Sequence, residues 1–184
     1  GAGSAVAAAF TAIDNNNGNA TANITGDDYT AAQLKTINDA TSGAIVLADP
    51  SVDLSASSTV LAAAFAGTVT THTGDVTITN ADYTLAELIT INNATSGDIT
   101  LNTSNIALSG SSSDLALALN GVINHTGDVT ITNDDYTLAQ LKTINTGTTG
   151  SITIQHDVEI AELVTINDAT DGRITLSDGS QALS

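Results

Sequence analysis

The segment Gly74-Asp75-Val76-Thr77-Ile78-Thr79-Asn80 returns 53 positions later as Gly127-Asp128-Val129-Thr130-Ile131-Thr132-Asn133. The next stretch of chain returns as well. Asp82-Tyr83-Thr84-Leu85-Ala86-Glu87-Leu88 matches Asp135-Tyr136-Thr137-Leu138-Ala139-Gln140-Leu141, and Asp28-Tyr29-Thr30-Ala31-Ala32-Gln33-Leu34 is a third copy. Glu159-Ile160-Ala161-Glu162-Leu163 is a fourth and shorter one. A repeat of this kind outranks every other constraint, because one unit cannot bury its apolar face alone and stacked neighbours can.

Each long repeat divides into two half-coils, A and B. In A, Val76 and Ile78 alternate with threonines, the period of a strand with one buried face. Thr84-x-x-Glu87 then forms a capping box, repeated as Thr30-x-x-Gln33 and Thr137-x-x-Gln140. Leu85, Leu88 and Ile91 follow at helical spacing, and Gly97 after Ala94-Thr95-Ser96 stops the helix. B opens on a second short strand, Ile99-Thr100-Leu101, equivalent to Ile45-Val46-Leu47 and Ile174-Thr175-Leu176. It ends in a short apolar helix or turn from Ser113 to Gly121, matched by Ser58 to Gly67. The half-coils run approximately 1–25 (B), 26–43 (A), 44–74 (B), 75–97 (A), 98–127 (B), 128–150 (A), 151–173 (A, short) and 174–184 (the start of B).

Joining Ser184 to Gly1 aligns Leu183 to Phe10 without a gap with Leu108 to Leu119 and with Leu54 to Phe65. The chain is therefore expected to be one super-repeat, either excised from a longer array or stacking head to tail as a subunit. Residues 174–184 are continued in register by 1–10 of a next copy, and Gly1, Ala5, Phe10, Leu176, Leu183 and Ser184 form the assembly ends.

Composition agrees with a thin, uniform core. Apolar residues make up 41% of the chain, yet aromatics are 3% and Met, Trp and Cys are absent. The expected fold is an α/β repeat solenoid, parallel strands on one side and short helices on the other. The alternative is a right-handed parallel β-helix with short helical corners. Seven coils with continuous pairing rise about 34 Å along the axis. Twenty acidic residues against three basic ones leave a net charge of −17, which repels nucleic acid and anionic membrane surfaces. No apolar run is long enough to span a bilayer, and no basic n-region marks a signal peptide, so membrane insertion is not expected and any export signal lies outside this chain.

Strands followed by Thr84-Leu85-Ala86-Glu87-Leu88 and Ala94-Thr95-Ser96-Gly97, with their copies, resemble the degenerate repeats of giant bacterial secreted proteins, including RTX-type adhesins and S-layer-like proteins. The resemblance implies an extracellular, cell-surface location. The calcium nonapeptide that defines true RTX segments is not present, and calcium-roll chemistry is not carried over.

Calcium takes six to eight oxygens, which aspartates and carbonyls at loop rims supply. The candidate ligands are Asp75, Asp98, Asp128, Asp27, Asp82 and Asp135. Their competing role is to complement helix N-termini. His72 and His125 share a repeat position, and stacked on neighbouring coils they could share a metal, although no third zinc-type ligand is evident. His156 has no equivalent. The three tyrosines share one position before the helix, suited to an aromatic ladder or a hydrophobic staple.

Thr77, Thr100, Thr130, Thr153 and Thr175 are expected on a solvent-facing sheet surface. Val76-Thr77-Ile78-Thr79 resembles the Thr-x-Thr strands of ice-binding solenoids, with Val46 breaking the pattern. No nucleophile elbow or phosphate loop occurs, and the acids repeat with the coils, so an enzyme is not expected. The function expected is a structural segment: an adhesin spacer or a self-assembling surface element, its partner another copy of itself and, secondarily, cell-surface glycans. Ice or carbohydrate binding through the threonine face is the alternative.

Overall fold

Where β-branched residues alternate with polar ones, the chain forms three-residue strands, most of which bury their first and third side chains. The computed structural model describes residues 1–12, 18–155 and 174–176. Its elements run α1 (Gly3–Ala12), β1 (Ala22–Ile24), α2 (Ala31–Ala40), β2 (Ile45–Leu47), β3 (Leu54–Ala56), α3 (Ser58–Phe65), β4 (Val76–Ile78) and α4 (Leu85–Ala94). They continue as β5 (Ile99–Leu101), β6 (Leu108–Gly110), α5 (Ser112–Leu119), β7 (Val129–Ile131), α6 (Leu138–Gly147), β8 (Ile152–Ile154) and β9 (Ile174–Leu176). Among the described residues the arrangement is mixed α/β: six helices and short parallel strands in three small sheets, with no closed barrel. The short fourth copy, His156, Leu183 and Ser184 lie outside the described residues.

All three capping boxes form. Thr30, Thr84 and Thr137 each accept a bond from the N3 backbone, while Gln33, Glu87 and Gln140 reach back to the cap backbone. Leu88 and Ile91 of α4, like Leu34 and Ile37 of α2 and Leu141 and Ile144 of α6, point into the core. In the B half, Ser57 and Ser111 cap α3 and α5, so α5 starts one residue before the sequence suggests. Behind α5 the Asn120-Gly121 step turns the chain through the left-handed region, Gly121 having φ 115°.

The strands pair in parallel and in register, between residues 21 to 23 positions apart, as in Leu108↔Val129, Leu54↔Val76 and Val76↔Ile99. The strands do not form the one continuous ladder expected from the repeat. β1 pairs with β2, β3 with β4 and β5, and β6 with β7, β8 and β9. The reason lies in the B half, which carries two strands rather than one. β2 and β5 pair back onto β1 and β4, the strands that precede helices α2 and α4, whereas β3 and β6 open new sheets onto β4 and β7. Leu54 and Leu108, which lie in the more variable stretch of the repeat, are the buried first residues of those opening strands.

The helices pack in chain order, α1 on α2, α2 on α3, and so on to α6. One core of Leu, Ile, Val and Ala runs between them and the strands, with Tyr29, Phe65 and Tyr83 as its buried aromatics. Successive turns touch at glycine: a Cβ on Gly97 would lie 2.1 Å from the Gly74 carbonyl oxygen, and one on Gly150 equally close to that of Gly127.

Candidate functional site

The threonines predicted for a ligand face do line up. Thr77 pairs with Thr100, and Thr130 with Thr153 and then Thr175. Ser55 precedes the first file and Ser109 the second. They form two files in separate sheets, however, and Thr77, Thr100, Thr130 and Thr153 are half-buried rather than fully open to solvent. In the first sheet the same position holds Asn23 and the exposed Val46.

The candidate calcium aspartates are exposed and spread along the turns. Asp53 Oδ1 accepts from the Asp75 backbone N–H at 2.9 Å, Asp75 Oδ1 from that of Asp98 at 3.0 Å, and Asp128 Oδ1 from that of Ser151 at 3.0 Å. Asp82 and Asp135 accept from the side-chain amides of Asn80 and Asn133. Asp27 lies in the exposed bend before α2, away from these bonds. Among the described residues no three His, Asp or Glu side chains converge on one metal position.

The histidines do not meet each other. Each is buried in its own turn and engaged at both ring nitrogens. His72 Nε2 donates to the Val52 carbonyl at 2.7 Å, and Nδ1 lies 3.1 Å from the Thr95 hydroxyl. His125 repeats this with Ile106 at 2.9 Å and Thr148 at 2.9 Å. A carbonyl only accepts, so the neutral ring carries its proton on Nε2. The single Thr95 hydroxyl proton is shared between His72 Nδ1 and the Gly74 carbonyl, which lies at 3.0 Å, and the Thr95 oxygen accepts from the Gly97 N–H at 3.0 Å. One imidazole thus joins three successive passes of the chain. Burial pushes both rings below the ordinary imidazole range; carbonyl bonds oppose it, helped at His72 by the Asp53 charge. Both nitrogens of each ring face protein partners inside the fold, which turns the rings inward rather than towards a metal or a substrate.

This staple was not drawn from the sequence, although its signal was present: Thr-His-Thr-Gly-Asp and Asn-His-Thr-Gly-Asp recur in step with the threonine that follows each helix. Glu87 makes a second cross-link. Beyond its own capping box it accepts from Ser58 Oγ at 2.9 Å and Thr59 Oγ1 at 2.8 Å, joining the starts of α3 and α4. Burial raises its pKa, but the bonds from Thr84, Thr59 and Ser58 outweigh that and hold it below the usual range. Gln140 makes the matching bond with Ser112 at 3.1 Å.

Tyr29 and Tyr83 insert into the core. The Tyr29 hydroxyl donates to the Asp49 carbonyl at 2.7 Å, and burial with the nearby Asp49 charge pushes its pKa up to about 12. The Tyr83 hydroxyl is buried beside the Ile106 backbone without a hydrogen bond of normal geometry, and burial pushes its pKa up against that contact.

Open grooves also follow the repeat. One of about 360 Å³ is lined by Leu119, Gly121, Ile123, Lys142 and Thr143, and one of about 310 Å³ by Phe65, Gly67, Val69, Thr90 and Asn93. At the amino-terminal end Gly1 is exposed and forms a one-residue extension of the β1 ladder, its nitrogen donating to Asn23 O at 3.0 Å and its carbonyl accepting from Thr25 N at 2.9 Å. Ala5 is exposed and Phe10 half-buried; Leu176 closes β9.

No protein-family model, curated protein or solved structure matches the chain.

Proposed function

We propose that this chain is a structural repeat segment of a secreted or cell-surface bacterial protein, an α/β solenoid that serves as an adhesin spacer or a self-assembling surface element. The observation that carries the reading is the recurrence of the same cross-links in two successive repeats. The capping boxes, the His–Thr staples and the turn aspartates all recur in step with the 53-residue shift. Side chains that in a catalyst would be held free are here used to tie one pass of the chain to the next. No helix among the described residues is long and apolar enough to cross a membrane.

Calcium enters this reading as a ligand of Asp75 and Asp128, each of which accepts its backbone bond through one carboxylate oxygen. Calorimetric titration tests that part alone. The whole reading is tested by small-angle scattering and electron microscopy. An elongated particle or a regular assembly supports it, and a compact sphere counts against it.

The in-register backbone positions of Ser109, Thr130, Thr153 and Thr175 favour a second reading, binding of ice or carbohydrate along that line. Thermal hysteresis and a glycan array separate the two ligands, and a null result in both removes the reading.

A further inference from the structure

The buried polar cluster around His72 is one proton short. The Val52 carbonyl lies 2.7 Å from Nε2, and the Thr95 oxygen 3.1 Å from Nδ1. That oxygen has the Gly74 carbonyl at 3.0 Å and the Gly97 N–H at 3.0 Å. These four donor–acceptor pairs need four protons, and the neutral cluster brings three, from the imidazole, the hydroxyl and the Gly97 amide. The threonine therefore leaves either Nδ1 or the Gly74 carbonyl without a donor. The second copy has the same shortage. Ile106 O lies 2.9 Å from Nε2 of His125, Thr148 Oγ1 2.9 Å from Nδ1, and the Gly127 carbonyl and Gly150 N–H 2.9 and 3.0 Å from that hydroxyl.

A pass without a histidine shows where the hydroxyl proton goes when no ring competes for it. Thr41 and Gly18 are the repeat equivalents of Thr95 and His72. Thr41 Oγ1 approaches the Ala20 carbonyl to 2.7 Å, with the Gly18 carbonyl at 3.2 Å, and accepts from the Gly43 N–H at 3.0 Å. Beside the histidines the matching hydroxyl-to-carbonyl distances are longer, 3.0 Å at Gly74 and 2.9 Å at Gly127.

We infer that each His–Thr staple is a proton-binding site, filled by a proton from water without opening the fold. On loading, Nδ1–H donates to the threonine oxygen, the threonine proton passes wholly to the Gly74 or Gly127 carbonyl, and every pair becomes a hydrogen bond. No bond between heavy atoms changes, and the ring gains one positive charge.

The surroundings set how readily each ring loads. Phe65, on a helix with no charged residue, holds its ring 5.5 Å from that of His72, and burial works against the cation. Asp53 is the charge that favours it. Asp75 and Asp128, in the turns beside the two rings, are exposed and bonded to the N–H groups of the exposed Asp98 and of Ser151. Glu87 and Lys142, the charged residues of α4 and α6, stand in the first half of helices whose far ends meet the rings. Ala107 takes the place of Asp53 before β6, so His72 loads at the higher pH of the two.

The test follows both rings of the 184-residue chain by NMR from about pH 7 to about pH 4. Each should titrate while the amide signals of Thr95, Gly97, Thr148 and Gly150 stay dispersed. Thr95→Val keeps the branching and removes the oxygen that accepts from the loaded ring. It should weaken proton binding at His72 at least about tenfold and leave His125 unmoved, and Thr95→Ser should restore it. Proton binding at His72 that is unchanged or tighter in Thr95→Val overturns the inference. So does a ring that takes up its proton only as amide dispersion collapses. Asp53→Asn serves if Thr95→Val does not fold: it should weaken proton binding at His72 alone, and no change there overturns the loaded cation.

Discussion

Nδ1 of His72 stands 3.1 Å from the hydroxyl oxygen of Thr95, and the pair returns as His125 and Thr148 at 2.9 Å. The relationship spans 23 residues and fastens the end of an A helix to the turn one pass earlier. The buried His72 and His125 rings are tolerated because each finds its partners in the neighbouring passes.

These rings set a pH response. Burial holds both below the ordinary 6.5 of imidazole, so the unfolded chain takes up protons at a higher pH than the folded one. Their contribution is full above 6.5 and is lost as pH falls from there towards the folded value. The melting temperature should drop between about pH 7 and pH 5, before carboxylates titrate. His72→Gln with His125→Gln should flatten the drop. An unchanged slope in the double variant would count against the histidines.

Glu87 responds in a lower window. Its folded pKa is depressed below 4.5, so its contribution is present above that value and lost as pH falls through the folded one. Glu87→Gln should cost no more than about 1 kcal/mol at neutral pH, because Gln140 makes the equivalent bonds in the next repeat. Glu87→Ala should cost about 1–2 kcal/mol by removing the box and the cross-link together. Denaturant unfolding at neutral and acid pH reads both, and equal losses from Gln and Ala would refute the assignment.

Tyr29 and Tyr83 occupy one repeat position with unlike hydroxyls. Tyr29→Phe removes the bond to the Asp49 carbonyl and should destabilise by about 1 kcal/mol. Tyr83→Phe removes a buried hydroxyl whose contact with the Ile106 backbone falls short of normal hydrogen-bond geometry, and should change stability less than Tyr29→Phe, within about 0.5 kcal/mol of neutral. Thermal or urea denaturation ranks the two, and the opposite order would be inconsistent with the described bonding.

Gly97→Ala should destabilise by more than about 2 kcal/mol, since the added methyl meets a backbone carbonyl that has no room to withdraw. Gly18→Ala is the control, its nearest contact lying at an ordinary 3.8 Å. Similar melting temperatures for the two variants would mean that the turns are not in close contact.

The helices were legible from the sequence because their signals are local. Thr84, Glu87, Leu88 and Ile91 all fall within two turns, and period and cap agree. The division into three sheets was not, because it depends on which pass Leu54 and Leu108 face, and periodicity carries no information about partners. The same limit hid the histidine staples: His72 and Thr95 are distant in sequence, and each reads locally as a turn residue. The threonines were legible as strand residues on one face, but Thr77 and Thr130 fall in different sheets, so their files are two.

Neighbour-only packing has a mechanical consequence. A pull that separates α1 from α6 loads the contacts between adjacent helices in series, so the weakest gives way first and the others keep their bonds. Such a chain would lengthen in steps and would re-form from whichever passes had stayed closed.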